Sequence, residues 1–344
     1  MQNKGTLSVV MSNYNHSHYI QEALQAILSQ SFSPLEVIVI DDGSTDNSVQ
    51  IIESIAEKNP TVKFYRNVKN EGVWYSSNKG AKIATGEYIY WAAADDRVCP
   101  GFFEKSVKIL NQNPQAGLSS ALLKIIGKDG NDEMWAKTPV ISSTECFLSA
   151  DQVRKTLLKH GFWFTGHTVI FRRDYVVKDK DTDVFDPELY QFADHIAIMI
   201  VATKHGVCFI PEILATWRTY TGLSGYADTH FLSEEAKTNS ALDKMVQIMN
   251  SKEYALFVPR DFVKQYKSKI MYSVQSMRFN KIHNEMIDFT KTIRSLQKSQ
   301  SLLDKFVYLI IKMLDGFKYF FVKSYFYYRL THINVFSLIL NIVS

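Results

Sequence analysis

Polar side chains that suit nucleotide chemistry occur in three groups within the first hundred residues, each at the end of a short apolar run. The groups are Asn13 with Tyr14, Asp41 with Asp42, and Asp95 with Asp96. Carboxylates accept hydrogen bonds from base N–H groups and ribose hydroxyls, and they bind divalent cations. These residue types therefore suit a site that reads a base and a ribose and recruits a divalent cation to phosphates.

The sequence predicts that each group ends a strand of one sheet. Apolar runs of strand length cover residues 7–11, 36–40 and 88–91, and residues with helical spacing separate them. Buried strands that are each followed by a helix predict a mostly parallel sheet with right-handed crossovers. Ligands bind at the carboxyl ends of the strands in such sheets, so we expect the three groups to meet at one edge.

The rest of the chain predicts one large domain with an appendage. The chain has 344 residues, which exceeds one minimal domain. Mixed strand and helix patterns continue to about residue 225, and helical spacing dominates from about residue 231. We therefore expect an α/β domain over residues 1–230, a helical extension over residues 231–304, and a separate tail over residues 305–344.

The composition is that of an ordinary folded protein. Hydrophobic residues make up 46% of the chain and charged residues 22%, which argues against disorder and against a polytopic membrane protein. The three cysteines lie far apart in the sequence, so neither a zinc cluster nor a disulfide framework is expected. Residues 1–11 carry no apolar segment of signal-peptide length, which predicts a cytoplasmic protein.

Two common nucleotide-binding motifs are absent from the sequence. No Gly-x-Gly-x-x-Gly follows the first strand, and no Gly-x-x-x-x-Gly-Lys occurs. The first motif is typical of dinucleotide-binding oxidoreductases and the second of P-loop hydrolases. Both classes are therefore disfavoured, and the carboxylates at the strand ends remain as the main chemical signal.

A larger set of motifs surrounds the three groups. Residues 7–15 read LSVVMSNYN and residues 36–46 read EVIVIDDGSTD, followed by Asn70–Gly72, Asn78–Gly80, Thr85–Ile89 and Ala94–Asp96. In order and spacing this set resembles family 2 glycosyltransferases, over about residues 5–110 and more loosely to about residue 225. The resemblance implies the GT-A fold, an α/β fold whose Rossmann-like, mostly parallel sheet is flanked by helices, here followed by an α-helical C-terminal extension. It also implies a nucleotide-sugar half over residues 1–115 and an acceptor half over residues 116–230.

The resemblance assigns residues to the nucleotide. Tyr14 matches the aromatic residue that stacks on the base, with a core tyrosine as the alternative, and stacking is worth about 1–3 kcal/mol. Asp42 matches the carboxylate that accepts a hydrogen bond from uracil N3–H, and Asp41 is the alternative for that role. A turn or helix cap formed by these aspartates is the structural alternative. Asn13 and Asn78 are also expected at the nucleotide, although Ser77 replaces the arginine that the family has before Asn78.

The resemblance also predicts a metal site. Asp95 matches the carboxylate near the ribose and Asp96 the ligand of Mg²⁺ or Mn²⁺, a cation that offsets the charge of the departing diphosphate. Ala93 stands where many members have another aspartate, so we expect few acidic ligands and a loosely held cation. A surface turn formed by the Asp pair is the alternative.

The resemblance places the catalytic base in the acceptor half. Phe185-Asp-Pro-Glu followed by Phe192-Ala-Asp-His and an apolar helix matches the family arrangement, which implies Asp194 as the base that deprotonates the acceptor hydroxyl. Many relatives have glutamate where this chain has Ala193, so His195 is a rival base. A helix cap at Asp194 is the alternative without catalysis.

Two further stretches carry weaker family signals. His167 lies where relatives line the acceptor pocket, with a purely structural histidine as the alternative. Trp217 and Arg218 resemble the loop that closes over the diphosphate, and Arg218 is expected to pair with phosphate oxygens. Tyr220 stands where this loop often has a histidine, so we expect no metal ligand from the loop.

The sequence therefore predicts an inverting, metal-assisted glycosyltransferase. By resemblance, a nucleotide-sugar of the UDP type donates to a hydroxyl of a glycan or a lipid-linked acceptor, in cell-envelope polysaccharide synthesis. One alternative is a noncatalytic nucleotide-binding scaffold of the same fold, favoured by Ala93 and Ala193. A sugar nucleotidyltransferase is the other, disfavoured because residues 10–20 contain no basic glycine-rich loop.

The C-terminal part differs in charge from the rest. Residues 251–344 contain 15 Lys and Arg against 6 Asp and Glu, and eleven aromatic residues lie between Phe306 and Phe336. This pattern predicts a peripheral anchor on the inner face of the membrane. A helical hairpin packed on the body or on a second copy is the alternative. No nucleic-acid-reading motif accompanies the basic residues, so nucleic acid is not an expected partner.

Overall fold

The computed structural model describes residues 5–130, 133–135, 139–179, 181–220, 223–224 and 235–268. The strands are β1 (Leu7–Asn13), β2 (Glu36–Asp41), β3 (Val62–Arg66), β4 (Tyr88–Ala93), β5 (Arg97–Val98), β6 (Leu118–Ile126), β7 (Glu133–Trp135), β8 (Cys146–Leu148), β9 (Ile170–Arg172), β10 (Val207–Tyr220) and β11 (Leu223–Ser224). The helices are α1 (Ile20–Leu28), α2 (Ser48–Lys58), α3 (Val73–Ile83), α4 (Phe102–Gln112), α5 (Ala150–His160), α6 (Arg173–Val176), α7 (Ala193–His205) and α8 (Glu235–Met249). Two 3-10 turns span Gly166–Thr168 and Pro187–Phe192, and residues 260–268 are also helical.

The strands form a mixed sheet in the order β11-β10-β6-β9-β4-β1-β2-β3. Strand β1 pairs in parallel with β2 and β4, β2 pairs in parallel with β3, and β10 pairs in parallel with β6. Strand β9 is antiparallel to both β4 and β6, so it joins the two parallel groups. The prediction of an α/β fold with a mostly parallel sheet flanked by helices is confirmed.

Helix α1 shows how the sequence builds the core. Its buried residues Ile20, Ala23, Leu24 and Ile27 follow the spacing of one helical face. This face packs in the same hydrophobic cluster as Val9 and other strand residues. Each fully buried aliphatic side chain contributes about 1.5–3 kcal/mol relative to exposure, so the apolar periodicity fixes the helix on the sheet.

A buried carboxylate stabilises the end of the sheet that lies opposite the polar strand ends. Glu36 accepts hydrogen bonds from Ser8 Oγ at 2.7 Å, from Lys63 Nζ at 2.6 Å, and from the backbone N–H and hydroxyl of Thr85 at 2.7 and 2.8 Å. Burial opposes ionisation of this carboxyl group, but the hydrogen bonds from Lys63, Ser8 and Thr85 outweigh it and lower the pKa of Glu36. Glu36 therefore ties β1, β3 and the turn before β4 to β2.

The carboxyl ends of β1, β2 and β4 lie side by side. In the strand register Asn13 is opposite Asp41, and Ser12 is opposite Ala93. Neighbouring strands are separated by about 4.8 Å, so these ends form one continuous edge. The turn that holds Asp95 follows β4 directly. This geometry brings the three predicted polar groups to the same edge of the sheet.

The C-terminal predictions are only partly within the described residues. Helix α8 and the helical residues 260–268 agree with the helical pattern expected after residue 231. The predicted tail over residues 305–344 lies outside the described residues, and the domain boundaries stay predictions. Over the ranges that the structure describes, no helix is long and apolar enough to cross a membrane. The thiols of Cys99, Cys146 and Cys208 are free.

Candidate active site

The first part of the site is a buried turn built around Asp41. Asn13 Nδ2 donates to Asp41 Oδ2 at 2.8 Å, and the backbone N–H of Ser44 donates to Asp41 Oδ1 at 2.9 Å. Asn13 Nδ2 also donates to Ser44 Oγ at 3.2 Å. Both oxygens of Asp41 therefore serve the turn after β2, which is the structural alternative weighed for this residue.

Asp42 is held as an oriented hydrogen-bond acceptor. Its Oδ1 accepts from Asn67 Nδ2 at 2.7 Å and from the Glu71 backbone N–H at 3.0 Å. Its Oδ2 accepts from the Gly72 backbone N–H at 2.8 Å. The residue is only 2% exposed. Because a carboxylate has about four lone-pair sites, three donors leave Oδ2 with room for one more, which a base N–H can fill.

The loop that donates to Asp42 can approach only because of a glycine. Gly43 has a φ of +76°, and a Cβ there would lie 2.7 Å from the backbone carbon of Lys69. The side chain of Asn67 extends the network, since its Nδ2 also donates to Ser76 Oγ at 2.9 Å and its Oδ1 accepts from Lys79 Nζ at 2.8 Å. Sequence analysis assigned no role to Asn67 or to Lys79, although Lys79 lies within the motif Asn78–Gly80.

Tyr14 lies on the same edge as Asp42, because the backbone carbonyl of Asn13 accepts the Asp42 N–H at 2.8 Å. Its side chain is 41% exposed, unlike a core tyrosine. The next residue, Asn15, has a φ of +56°, and its Oδ1 accepts the Thr45 N–H at 2.8 Å. These bonds hold the loop that carries Tyr14 against the turn after β2, and the stacking role stays a prediction.

The second part of the site is a cluster of three carboxylates around one imidazole. Asp96 is buried; its Oδ1 accepts the Arg218 backbone N–H at 2.6 Å, and its Oδ2 accepts from His167 Nε2 at 2.9 Å. Burial alone would lower the pKa of His167, but the charge and hydrogen bond of Asp96, together with the charges of Asp194 and Asp95, raise it. The neighbouring carboxylates therefore favour the protonated form of the imidazole.

Neighbouring residues fix the position of His167. Its backbone carbonyl accepts the hydroxyl of Tyr90 at 3.0 Å, and the ring of Trp217 stacks on its imidazole with centroids 5.7 Å apart. The sequence predicted His167 and Trp217 separately, and the structure brings them together beside Asp96. A small recess borders this cluster and is lined in part by Ala93, Asp96 and His167. It is far smaller than a ligand pocket, so a nucleotide-sugar would extend beyond it along the strand edge.

Asp194 joins the cluster from the start of helix α7. It lies in the first turn of that helix, where the helix dipole favours a negative charge. Its Oδ1 accepts the His195 backbone N–H at 2.8 Å. A Cβ on Gly166 would lie 2.8 Å from Asp194 Oδ2, so the carboxylate passes directly over the backbone next to His167.

Asn78 contacts the backbone of Phe185, and its contact with the nucleotide stays a prediction. Its Nδ2 donates to the Phe185 carbonyl at 2.7 Å, and its Oδ1 accepts the Phe185 N–H at 2.9 Å. The side chain is buried, and the rings of Trp74 and Trp91 each lie 4.9 Å from that of Phe185. The structure therefore uses Asn78 to dock the segment that leads to Asp194 onto helix α3.

Arg218 contacts protein groups in the structure, and its contact with the diphosphate stays a prediction. Its guanidinium donates to Glu22 Oε2 and to the carbonyls of Asp95 and Lys128, each at 2.8 Å. It also lies over the ring of Tyr19 at 4.6 Å, and the residue is only 2% exposed. These contacts occupy the guanidinium, so Arg218 joins β10 to helix α1 and to the turn of Asp95.

The rival base His195 faces the helical extension. Its Nδ1 lies 2.7 Å from the hydroxyl of Tyr266, and its ring packs 4.6 Å from that of Phe162. Asp194 and His195 are adjacent in sequence, but their side chains have different partners. Asp194 lies beside Gly166 and its charge acts on His167, whereas His195 contacts Tyr266 and Phe162.

The donor set fits a divalent cation that is bound mostly by substrate. Each oxygen of Asp96 has one hydrogen-bond donor and keeps a lone pair for a metal. Within the described ranges, no three His, Cys, Asp or Glu side chains form a group that could hold a metal ion. Mg²⁺ is often held by one or two carboxylates plus substrate phosphates, and that is the arrangement these residues would allow.

Comparisons with known proteins agree with this geometry. Residues 8–178 match the family model described as glycosyl transferase family 2. An uncharacterized glycosyltransferase of Haemophilus influenzae is 25% identical over 87% of this chain and 97% of its own length. An uncharacterized glycosyltransferase of Nostoc sp. is 29% identical over 71% of this chain and 74% of its own length.

Two solved structures share the fold. Residues 1–349 of S. aureus TarS, in complex with UDP-GlcNAc, give a TM-score of 0.60 at 19% identity, covering 96% of this chain and 95% of that one. The mannosyltransferase PcManGT from Pyrobaculum calidifontis, in complex with GDP-Man and Mn²⁺, gives a TM-score of 0.53 at 17% identity, covering 90% of this chain and 86% of that one. At these identities the likeness establishes the fold.

Proposed function

The chain belongs to glycosyl transferase family 2, and from this premise we propose that it transfers a sugar from a UDP-type nucleotide-sugar to a hydroxyl of a glycan or lipid-linked acceptor. The observation that carries the proposal is the meeting of Asp96, His167 and Asp194 at the sheet edge that also presents Asp42. The part of this edge around Asp42 suits a nucleotide. The part around Asp96, His167 and Asp194 suits a group that develops negative charge and a proton transfer.

The nucleotide part supports a base with an N–H donor. Asp42 keeps one acceptor position, and its other lone pairs are filled by fixed donors. Uracil and thymine carry N3–H, whereas cytosine has an acceptor at that position. Such a carboxylate therefore favours uracil and thymine over cytosine. Tyr14 would stack on the base, and Asp95 would accept from a ribose hydroxyl. The TarS structure, which holds UDP-GlcNAc, agrees with a UDP donor.

The charge of the leaving diphosphate requires compensation. The carboxylates around His167 favour its protonated form, which would place a positive charge beside Asp96, and such a preorganised charge stabilises a developing anion without reorganisation. A Mg²⁺ or Mn²⁺ bound by Asp96 would supply Lewis-acid stabilisation of the same charge. The Mn²⁺ in the PcManGT structure supports the choice of cation.

The acceptor step is a single displacement with inversion. The acceptor hydroxyl oxygen forms the new bond to the anomeric carbon while the bond from that carbon to the diphosphate oxygen breaks. The hydroxyl proton passes to the carboxylate of Asp194, which lies in the first turn of α7 beside Gly166. The nucleoside diphosphate leaves with the electron pair of the broken bond.

A donor panel tests this proposal. The purified full chain is incubated with UDP-, dTDP- and GDP-linked sugars and a panel of methyl glycosides, with Mn²⁺ or with chelator, and products are identified by mass spectrometry. We expect UDP and a new glycoside with Mn²⁺ only, and loss of the glycoside in Asp194→Asn. Nucleotide binding without turnover of any donor would indicate a scaffold, and pyrophosphate release would indicate a nucleotidyltransferase.

We also propose a place for the reaction near the inner face of the membrane, in cell-envelope polysaccharide synthesis. The support is the basic, aromatic-rich sequence of residues 305–344, which suits anionic headgroups. Deletion of these residues should move the protein from the membrane fraction to the supernatant of a cell lysate. A truncated chain that still sediments with membranes would contradict the anchor.

A further inference from the structure

The residue that follows the proposed base is linked to the helical extension by a buried hydrogen bond. The hydroxyl of Tyr266 lies 2.7 Å from Nδ1 of His195, which is 71 residues earlier in the chain. Tyr266 is buried, and its ring stacks on Phe262 with centroids 5.4 Å apart and packs 5.5 Å from Phe162. The hydroxyl is therefore held in place on the side of the ring that carries Nδ1.

The direction of this hydrogen bond follows from the surroundings of Tyr266. A buried hydroxyl whose proton has no acceptor costs about 1–3 kcal/mol. Across residues 5–268, as far as the structure describes them, His195 Nδ1 is the sole hydrogen-bond partner of this hydroxyl. The hydroxyl therefore donates to Nδ1. A neutral imidazole that accepts at Nδ1 carries its proton on Nε2.

The other ring nitrogen of His195, Nε2, is neither hydrogen-bonded nor fully buried in the described part of the chain. The side chain as a whole is half-buried. The backbone N–H of the same residue donates to Asp194 Oδ1, so the backbone of His195 is in direct contact with the proposed base.

We propose that Tyr266 is a positioning residue that fixes His195 as an Nε2–H donor toward an oxygen of the acceptor substrate. The inference rests on the proposed function for the identity of the reaction, but the tautomer of His195 is a property of the protein alone. In this arrangement His195 does not take the acceptor proton, because its one basic nitrogen is occupied by Tyr266. Asp194 is left as the proton acceptor, and the acceptor must carry a second oxygen near the reacting hydroxyl, as polyhydroxylated molecules do.

The tautomer is measured directly by NMR. The full chain is labelled with ¹⁵N-histidine, and the ring signals of His195 are assigned by their absence in His195→Gln. We expect an unprotonated Nδ1 and a protonated Nε2 in the neutral ring, and a changed tautomer distribution in Tyr266→Phe. Tyr254→Phe removes another hydroxyl of the extension and is the matched control, which should leave the signals unchanged. A protonated Nδ1, or identical spectra for Tyr266→Phe and the parent chain, would overturn the inference.

The donor role is measured by partitioning of the sugar between water and an added acceptor. The probe is UDP-GlcNAc with a panel of methyl glycosides, and both hydrolysis and transfer are quantified. Water needs no second contact, so Tyr266→Phe should lower transfer more than hydrolysis and reduce the ratio of the two about three- to tenfold. An unchanged ratio, or an equal loss of both rates, would refute the donor role. If the parent chain turns over no donor at all, the proposed function fails, whereas the NMR result still decides the tautomer.

Discussion

His167 donates from Nε2 to Oδ2 of Asp96 across 2.9 Å, and this pair connects the 3-10 turn before β9 to the turn after β4. The other oxygen of Asp96 accepts the Arg218 backbone N–H at 2.6 Å, so β10 is fixed to the same carboxylate. Three distant segments therefore meet at one group. The carboxylates favour a positive charge on this imidazole, and we propose that the diphosphate and its cation lie beside it.

The charge of His167 can be removed without removing its hydrogen bond. In His167→Gln the amide nitrogen can still donate to Asp96, but the fixed positive charge is lost. We expect turnover to fall about tenfold or more, because the developing charge on the diphosphate loses one preorganised partner. The test compares kcat with the UDP dissociation constant at saturating Mn²⁺. Equal kcat values for the variant and the parent chain would show that the charge has no role in the reaction.

The orientation of Asp42 depends on Asn67. In Asn67→Ala, Asp42 Oδ1 loses the donor at 2.7 Å and keeps the Glu71 N–H. We expect UDP to bind about three- to tenfold more weakly, since the carboxylate gains freedom and one hydrogen bond is lost. Calorimetric titration with UDP measures this change. Lys79→Met removes only the partner of Asn67 Oδ1 and should weaken UDP binding less than Asn67→Ala does. A larger effect of Lys79→Met would contradict the proposal that Asn67 orients Asp42.

The carboxyl group of Glu36 should make stability depend on pH. Its pKa is lowered in the folded chain, so it contributes stability above its ordinary value of 4.5, and this contribution is lost as the pH falls through the lowered pKa. Glu36→Gln should reduce the free energy of unfolding at neutral pH by about 2 kcal/mol, because charged hydrogen bonds become neutral ones. Denaturant unfolding from pH 3 to 7 measures both curves, which should converge at low pH. Lys63→Met keeps the Ser8 and Thr85 bonds and should cost less.

The polar strand ends could be predicted from the sequence because a buried strand is a local apolar run, and the polar residues follow it directly. Asp41 and Asp42 follow an apolar run, and that order alone places them at the carboxyl end of β2. The local sequence could not predict which of the two carboxylates keeps an acceptor position for a ligand, because Asp42 is held by Asn67, 25 residues away. The contacts of Arg218 could not be predicted for the same reason, because its partner Glu22 is 196 residues away.

In the helical extension, the helix could be predicted from the sequence, but its contacts with the rest of the protein could not. Residues 260–268 lie within the extension that was expected to be helical over residues 231–304, but the contact of Tyr266 with His195 depends on how that helix meets α7. Likewise, nothing near Gly166 in the sequence indicates that a carboxylate passes over it. That contact joins residues 166 and 194 through the fold alone. The spacing of apolar residues thus predicts helices and strands, whereas the partners of buried polar groups depend on how these helices and strands pack together.

Gly166 gives a direct test of the position of Asp194. A Cβ there would lie 2.8 Å from Asp194 Oδ2, which is closer than real contacts allow, so Gly166→Ala must displace the carboxylate. We expect turnover to fall strongly while UDP binding stays nearly unchanged, because the displaced group acts on the acceptor proton. Asp194→Asn should lower turnover about a hundredfold or more, as loss of a general base does. In the Asp194→Asn background, Gly166→Ala should have little further effect on turnover, since both changes remove the same function. Additive losses in the double variant would show that Gly166 acts on some other group, and the assignment of Asp194 as the base would then lose its geometric support.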